Sequence, residues 1–172
     1  WTDFAFPVNV VLPEVSGVAF YKTVSANSDH LTLEAIPAGS VVAAGEGIIV
    51  YAEQPQTLQL PITYEAAQTS RATTNWLSGA TARRTGFTAG DNYLLTTTDG
   101  VSYASSAETE VQANRAYFAA KEITGTVFEN SLSLMDQAVV NNSGLVYKKI
   151  TNASQLENGA TYVLLSEAQS VM

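Results

Sequence analysis

Turn-forming residues punctuate this chain about every eight to twelve residues, and the stretches between them are short and rich in Val, Ile, Leu, Thr, Tyr and Phe. Gly17, Asn27-Ser28-Asp29, Pro37-Ala38-Gly39, Pro61, Asp99-Gly100 and Asn158-Gly159 supply corners. No segment sustains apolar residues at the 3.6-residue period of a helix over three turns. The chain is therefore expected to be all-β: an antiparallel two-sheet β-sandwich or a partly open barrel, with a strand-rich C-terminal tail.

The individual stretches support this. Residues 4–12 are rich in Val and Phe and broken by Pro7, which suits an edge or a bulge. Residues 18–24 and 31–36 flank the polar corner at 27–29 and read as a hairpin. Residues 48–51 form an apolar run after Gly45-Glu46-Gly47, and residues 57–60 alternate until Pro61. Residues 65–90 read as a long loop, with a helical turn at 65–71 that Thr73, Thr74 and Gly79 keep from extending. Asp99-Gly100 then joins 92–97 to 101–104 as a second hairpin, and 116–119 is the last strand of this block. The corners at 36–42 and 111–117 echo each other: an apolar residue, a turn ending in Gly39 or Asn114, and an apolar strand. Gly and Asn both tolerate the left-handed backbone that closes such turns.

From residue 123 the pattern restarts. Residues 128–134 alternate, 145–150 and 161–165 read as strands, and Ser154-Gln155-Leu156-Glu157 fits a capping box. One hairpin is marginal alone, so this part is expected to pack on what precedes it or to open a further module. Two regions are thus expected: a β-sandwich module at 1–122 and a strand-rich extension or truncated second module at 123–172.

At 172 residues the chain can bury a core without covalent staples. Cysteine is absent, which excludes disulfides, thiolate metal sites and a cysteine nucleophile. Only 14% of residues are charged, and Thr, Ser, Asn and Gln carry solubility, a balance common in secreted bacterial β modules. An extracellular or cell-surface location is expected. The net charge of −8 opposes phosphate backbones and anionic lipid heads, so nucleic acid is not an expected partner. No apolar run approaches the roughly 20 residues of a spanning helix, and membrane insertion is not expected. Residue 1 opens a strand-like stretch without the basic-then-apolar pattern of a leader, so a leader, if one existed, is expected to have been removed.

Several phrases, in order, carry a family likeness: Trp1-Thr2-Asp3-Phe4-Ala5-Phe6-Pro7-Val8, Val11-Leu12-Pro13, Val18-Ala19-Phe20-Tyr21, Leu31-Thr32-Leu33 and Ile36-Pro37-Ala38-Gly39. Gly45-Glu46-Gly47, Trp76-Leu77-Ser78-Gly79, Tyr93-Leu94-Leu95 and Val111-Gln112-Ala113-Asn114-Arg115-Ala116-Tyr117 continue it. Over residues 1–121 the chain resembles a β-rich accessory module of large secreted and surface proteins of Bacteroides- and Prevotella-type bacteria. That family usually has Pro where Gln112 stands, and often Lys at Arg115. Residues 150–165 separately resemble the start of modules common in the same proteins. The resemblance implies a companion of surface adhesins, glycan-degrading enzymes or peptidases, and it carries over no catalytic residues.

The residues with chemical potential divide as follows. His30 is the sole histidine and sits beside Asp29 in a polar turn. A serine triad would need a nucleophile elbow as well, and no G-x-S-x-G occurs. Glu46, Glu53, Glu108 and Glu110 could pair as glycosidase carboxylates only if held roughly 5 to 9 Å apart across a cleft. Asp91-Asn92 and Asp99-Gly100 lack the spaced acidic pattern of an EF-hand, and Gly45-Glu46-Gly47 lacks the Lys of a phosphate loop. Asn141-Asn142-Ser143 and Asn152-Ala153-Ser154 are sequons that carry no meaning in a bacterial protein. No cofactor is expected.

Aromatic residues leave one binding hypothesis. Sugar C–H faces stack on exposed rings, so Trp76, Phe87, Tyr93 and Tyr103, with the basic pair Arg83-Arg84, are candidate glycan contacts. The bland alternative is that these rings fill the core. The expected role is a non-catalytic structural or adhesive accessory domain, with a glycan, a surface protein or other domains of a parent chain as partners. A carbohydrate-binding module and a small hydrolase with an unrecognised site are the alternatives.

Overall fold

The computed structural model describes residues 1–67, 75–88, 90–97, 101–106 and 110–136. Among these residues it is all-β apart from one 3-10 turn at Ala120–Glu122. Thirteen strands run in chain order: β1 Thr2–Ala5, β2 Val10–Val11, β3 Val18–Ala26, β4 His30–Ala35, β5 Val41–Val42, β6 Gly47–Ala52, β7 Leu77–Ala80, β8 Arg84–Thr85, β9 Asn92–Thr96, β10 Ser102–Ser105, β11 Glu110–Val111, β12 Arg115–Ala119 and β13 Ser131–Asp136.

Nine of these form one sheet in the order β1-β6-β3-β4-β13-β10-β9-β12-β7, and the ribbons β2-β5 and β8-β11 stand apart from it. Both expected hairpins are present as antiparallel pairs, β3 with β4 and β9 with β10. The large sheet curls until its ends meet. Gly79 N–H donates to the Gly45 carbonyl at 2.9 Å, Ala5 N–H donates to that of Asn114 at 3.2 Å, and Glu46 bridges Ser78. The result is a partly open barrel.

Small residues permit this seam. A Cβ on Gly47 would lie 2.7 Å from that of Ala116, and one on Gly79 would lie 2.5 Å from that of Ala5. Side chains alternate between the faces of each strand, so Leu31, Leu33, Ile49, Leu77, Tyr93, Tyr103, Phe118 and Leu132 fill the barrel. Each such side chain contributes about 1.5–3 kcal/mol by leaving water. The outer face is covered at two places. Beneath β2-β5 lie Val10, Leu12, Phe20, Ile36, Val42, Ile48 and Val50, and with β8-β11 lie Ala80, Val111, Tyr117 and Ala119.

Two expectations are corrected. Residues 65–90 are not simply a loop, because β7 is a fully buried strand paired with β12 and β8 pairs with β11. Residues 57–60 are not a strand; Leu58 and Leu60 pack on the second core while no ladder forms. The 4–12 stretch is interrupted around Pro7 as expected, between β1, which stands at one end of the sheet order, and β2. Gly39 and Asn114 both take positive φ, at 83° and 63°, as the echoed corners require.

The extension contributes to the same sheet. β13 pairs antiparallel with β10 and parallel with β4, joining the two halves of the barrel wall. Residues 137–172, with the expected strands at 145–150 and 161–165, the capping box and both sequons, lie outside the described residues, as do Asp99-Gly100 and Glu108.

Candidate functional site

The sequence candidates do not gather into one surface. Tyr93 and Tyr103 are 3% and 0% exposed, so neither can stack on a sugar, and both are corrected to core residues. Tyr93 meets Phe118 edge-on at 5.9 Å between ring centroids. Phe87 is half-buried and meets Tyr117 edge-on at 5.2 Å, while Arg84 Nη1 donates to the Tyr117 hydroxyl at 3.3 Å. Arg83 is exposed and its Nε donates to Glu110 Oε2 at 2.9 Å. The Arg83 bond holds the Glu110 carboxyl below the usual carboxylate range. Trp76 is half-exposed, yet its indole N–H donates to the Val24 carbonyl at 3.2 Å. It stands over the bulge in β3 between Thr23 and Ser25.

Other candidates are likewise committed locally. The imidazole of His30 bonds Asp29 and Asn27, both at 2.8 Å, within its own turn. Asp91 lies 4.0 Å from Lys121, and Asn92 beside it is buried, so these two do not converge on a common point. No group of three or more His, Cys, Asp or Glu among the described residues is placed to hold a metal ion.

Two buried polar groups were not singled out by sequence. Asn75 is 1% exposed, and its carboxamide accepts from Thr23 N–H at 3.2 Å and Leu77 N–H at 3.1 Å while donating to the Gly47 carbonyl at 2.7 Å. The β3-β6 ladder ends at Tyr21 and Ile49, and the Asn75 side chain acts there as an extra peptide unit joining β3, β6 and β7. Asp3 is wholly buried; Arg115 Nε donates to one oxygen and the Tyr103 hydroxyl lies 3.4 Å from the other. Strands β1 and β10 stand on opposite walls, so this contact crosses the interior. Burial, reinforced by the Asp3 charge and hydrogen bond, pushes the Tyr103 phenol well above its ordinary value.

One cluster of accessible aromatic rings does form, at the barrel end where β1 begins and β6 finishes. Thr2 pairs with Val50 and Val18 with Ala52, so Trp1, Tyr21 and Tyr51 are brought to the same end and share the inner face. Trp1 is 42% exposed, with ring centroids 4.9 Å from Tyr51 and 5.8 Å from Tyr21. Beside it a cavity of about 320 Å³ is lined by Trp1, Tyr21, Leu33, Val101 and Leu134. Barrel mouths are common ligand sites because the strands hold such a bowl rigidly. A second cavity of about 230 Å³ lies on the outer face among Phe4, Phe6, Phe20, Val50, Leu58 and Leu60. Its walls are hydrocarbon, with only Thr2 and Gln56 able to orient a ligand by hydrogen bonding, and it belongs to the second core.

Fold and site together define the class: an all-β, partly open barrel with an aromatic mouth. Comparison with protein-family models, curated proteins and solved structures finds no match to this chain.

Proposed function

We propose that this chain is a non-catalytic structural or adhesive accessory module of a larger secreted or cell-surface protein. One observation carries this reading: the polar side chains best suited to chemistry tie strands and turns together. Asp3 holds Arg115 and Tyr103 across the barrel, Asn75 joins three strands, and His30 and Glu110 are paired with immediate neighbours. The low share of charged residues and their acidic balance favour an extracellular setting.

The test is turnover. The purified chain is incubated with nitrophenyl glycosides, nitrophenyl esters and a fluorogenic peptide mixture. Rates equal to the uncatalysed ones are expected. Hydrolysis that disappears on His30→Ala, Asp29→Asn or Glu110→Gln would overturn the reading.

A further inference from the structure

We infer that the aromatic mouth is a binding site for neutral sugar rings, with Trp1 and Tyr51 as the stacking surface and Tyr21 beside them. This goes beyond the accessory-module reading, which holds with or without a ligand.

The ring geometry selects among ligand classes. Trp1 touches both tyrosines, with centroids 4.9 and 5.8 Å apart and planes tilted by 49° and 33°. Rings in mutual contact make a continuous surface and leave no gap between them for an ammonium group, so this is not a cation cage. The cavity wall joins the packed interior: Leu33 belongs to the same core cluster as Leu31, Tyr103 and Leu132, which are completely buried. No basic side chain lines the bowl, and the chain carries a net charge of −8, which disfavours acidic ligands.

A neutral pyranose fits what remains. Its C–H face removes apolar ring surface from water while its hydroxyls stay hydrated or bond polar groups at the rim. Tyrosine supplies a hydroxyl as well as a ring, and the volume of about 320 Å³ falls at the lower end of small-ligand pockets. Trp1 and Tyr21 line this bowl and Tyr51 flanks it through its contact with Trp1, whereas Trp76, one of the aromatics named from the sequence, is in neither place.

Affinity electrophoresis of the full chain tests the assignment, in native gels containing laminarin, xylan, galactomannan or pullulan, with polygalacturonate as the anionic comparator. Retardation by at least one neutral polymer is expected, with at least a tenfold loss in Trp1→Ala and in Tyr51→Ala and none in Trp76→Ala. Circular dichroism and melting establish that each variant folds, and Tyr51→Leu keeps apolar bulk should Tyr51→Ala not fold. Retardation by no neutral polymer, by polygalacturonate alone, or equally in parent, Trp1→Ala and Tyr51→Leu overturns the site. Those outcomes leave the accessory-module reading standing, since only turnover removes that.

Discussion

Replacing Gly79 with alanine tests whether the barrel closes as described. The new methyl carbon would sit 2.5 Å from Ala5 Cβ and 2.5 Å from the Gly45 carbonyl oxygen, whereas ordinary contact begins at 3.4 Å. β7 cannot simply retreat, because Gly79 N–H donates to that same carbonyl at 2.9 Å. Overpacking of this kind costs about 1–3 kcal/mol, and a weakened hydrogen bond adds about 1 kcal/mol. The expected loss is therefore about 3 kcal/mol, or roughly 6–12 °C in Tm for a chain of this size. Urea unfolding followed by circular dichroism measures it directly. Ala5→Gly removes one of the two obstructions, so Ala5→Gly combined with Gly79→Ala should show a favourable coupling of about 1 kcal/mol. Recovery is incomplete because the Gly45 carbonyl remains. Ser78→Ala is the control on the same strand: its buried hydroxyl has no partner among the described residues, so the change should fall within about 0.5 kcal/mol of the parent or stabilise it. If Gly79→Ala also falls within about 0.5 kcal/mol, β1 and β7 do not meet and the closed seam is wrong.

Two further predictions follow from the buried polar groups. Asn75→Ala leaves two N–H groups and one carbonyl unsatisfied at the junction of β3, β6 and β7, and should cost roughly 3 kcal/mol or more by chemical denaturation. Tyr103 makes stability fall at high pH. Its phenol is raised in the folded state, so its contribution is complete below about pH 10, the unfolded value, and is lost as pH climbs towards the folded value. Unfolding midpoints between pH 8 and 11.5 should decline less steeply in Tyr103→Phe than in the parent; equal slopes would refute the link.

Much of the wall was legible because β3, β4, β6, β9 and β12 each carry a short run rich in Val, Ile, Leu, Tyr or Phe bounded by turn residues, whatever their partners. β7 escaped because Ser78, Gly79 and Ala80 have little intrinsic strand preference. Their extended form comes from β12, more than 30 residues away, and from the Asn75 amide. The opposite error at residues 57–60 has the matching cause: alternation reports half-burial, and Leu58 and Leu60 are half-buried without a ladder. Two of the aromatic candidates failed similarly. A strand's pattern shows that one face is covered but not which face becomes interior, so Tyr93 and Tyr103 were readable as either core or surface. Trp1, Tyr21 and Tyr51 become neighbours only through the register of β1, β6 and β3, which no local stretch encodes.

The two ends of the barrel express one physical cause. Where β1 and β6 approach β7 and β12, the inward positions are Ala5, Gly47, Gly79 and Ala116, and backbones come close enough for direct hydrogen bonds. At the other end of the same β1 and β6 strands the inward positions are Trp1 and Tyr51, side chains too large for such an approach. Alternating small and large residues around a barrel gives it taper. The taper also separates duties: the narrow end holds the Asn75 tie, while the wide end leaves rings partly accessible. Substitutions at the narrow end should therefore register in unfolding free energy, and those at the wide end should register first in retardation by a neutral polysaccharide. A seam variant that weakens binding without loss of stability would contradict that division.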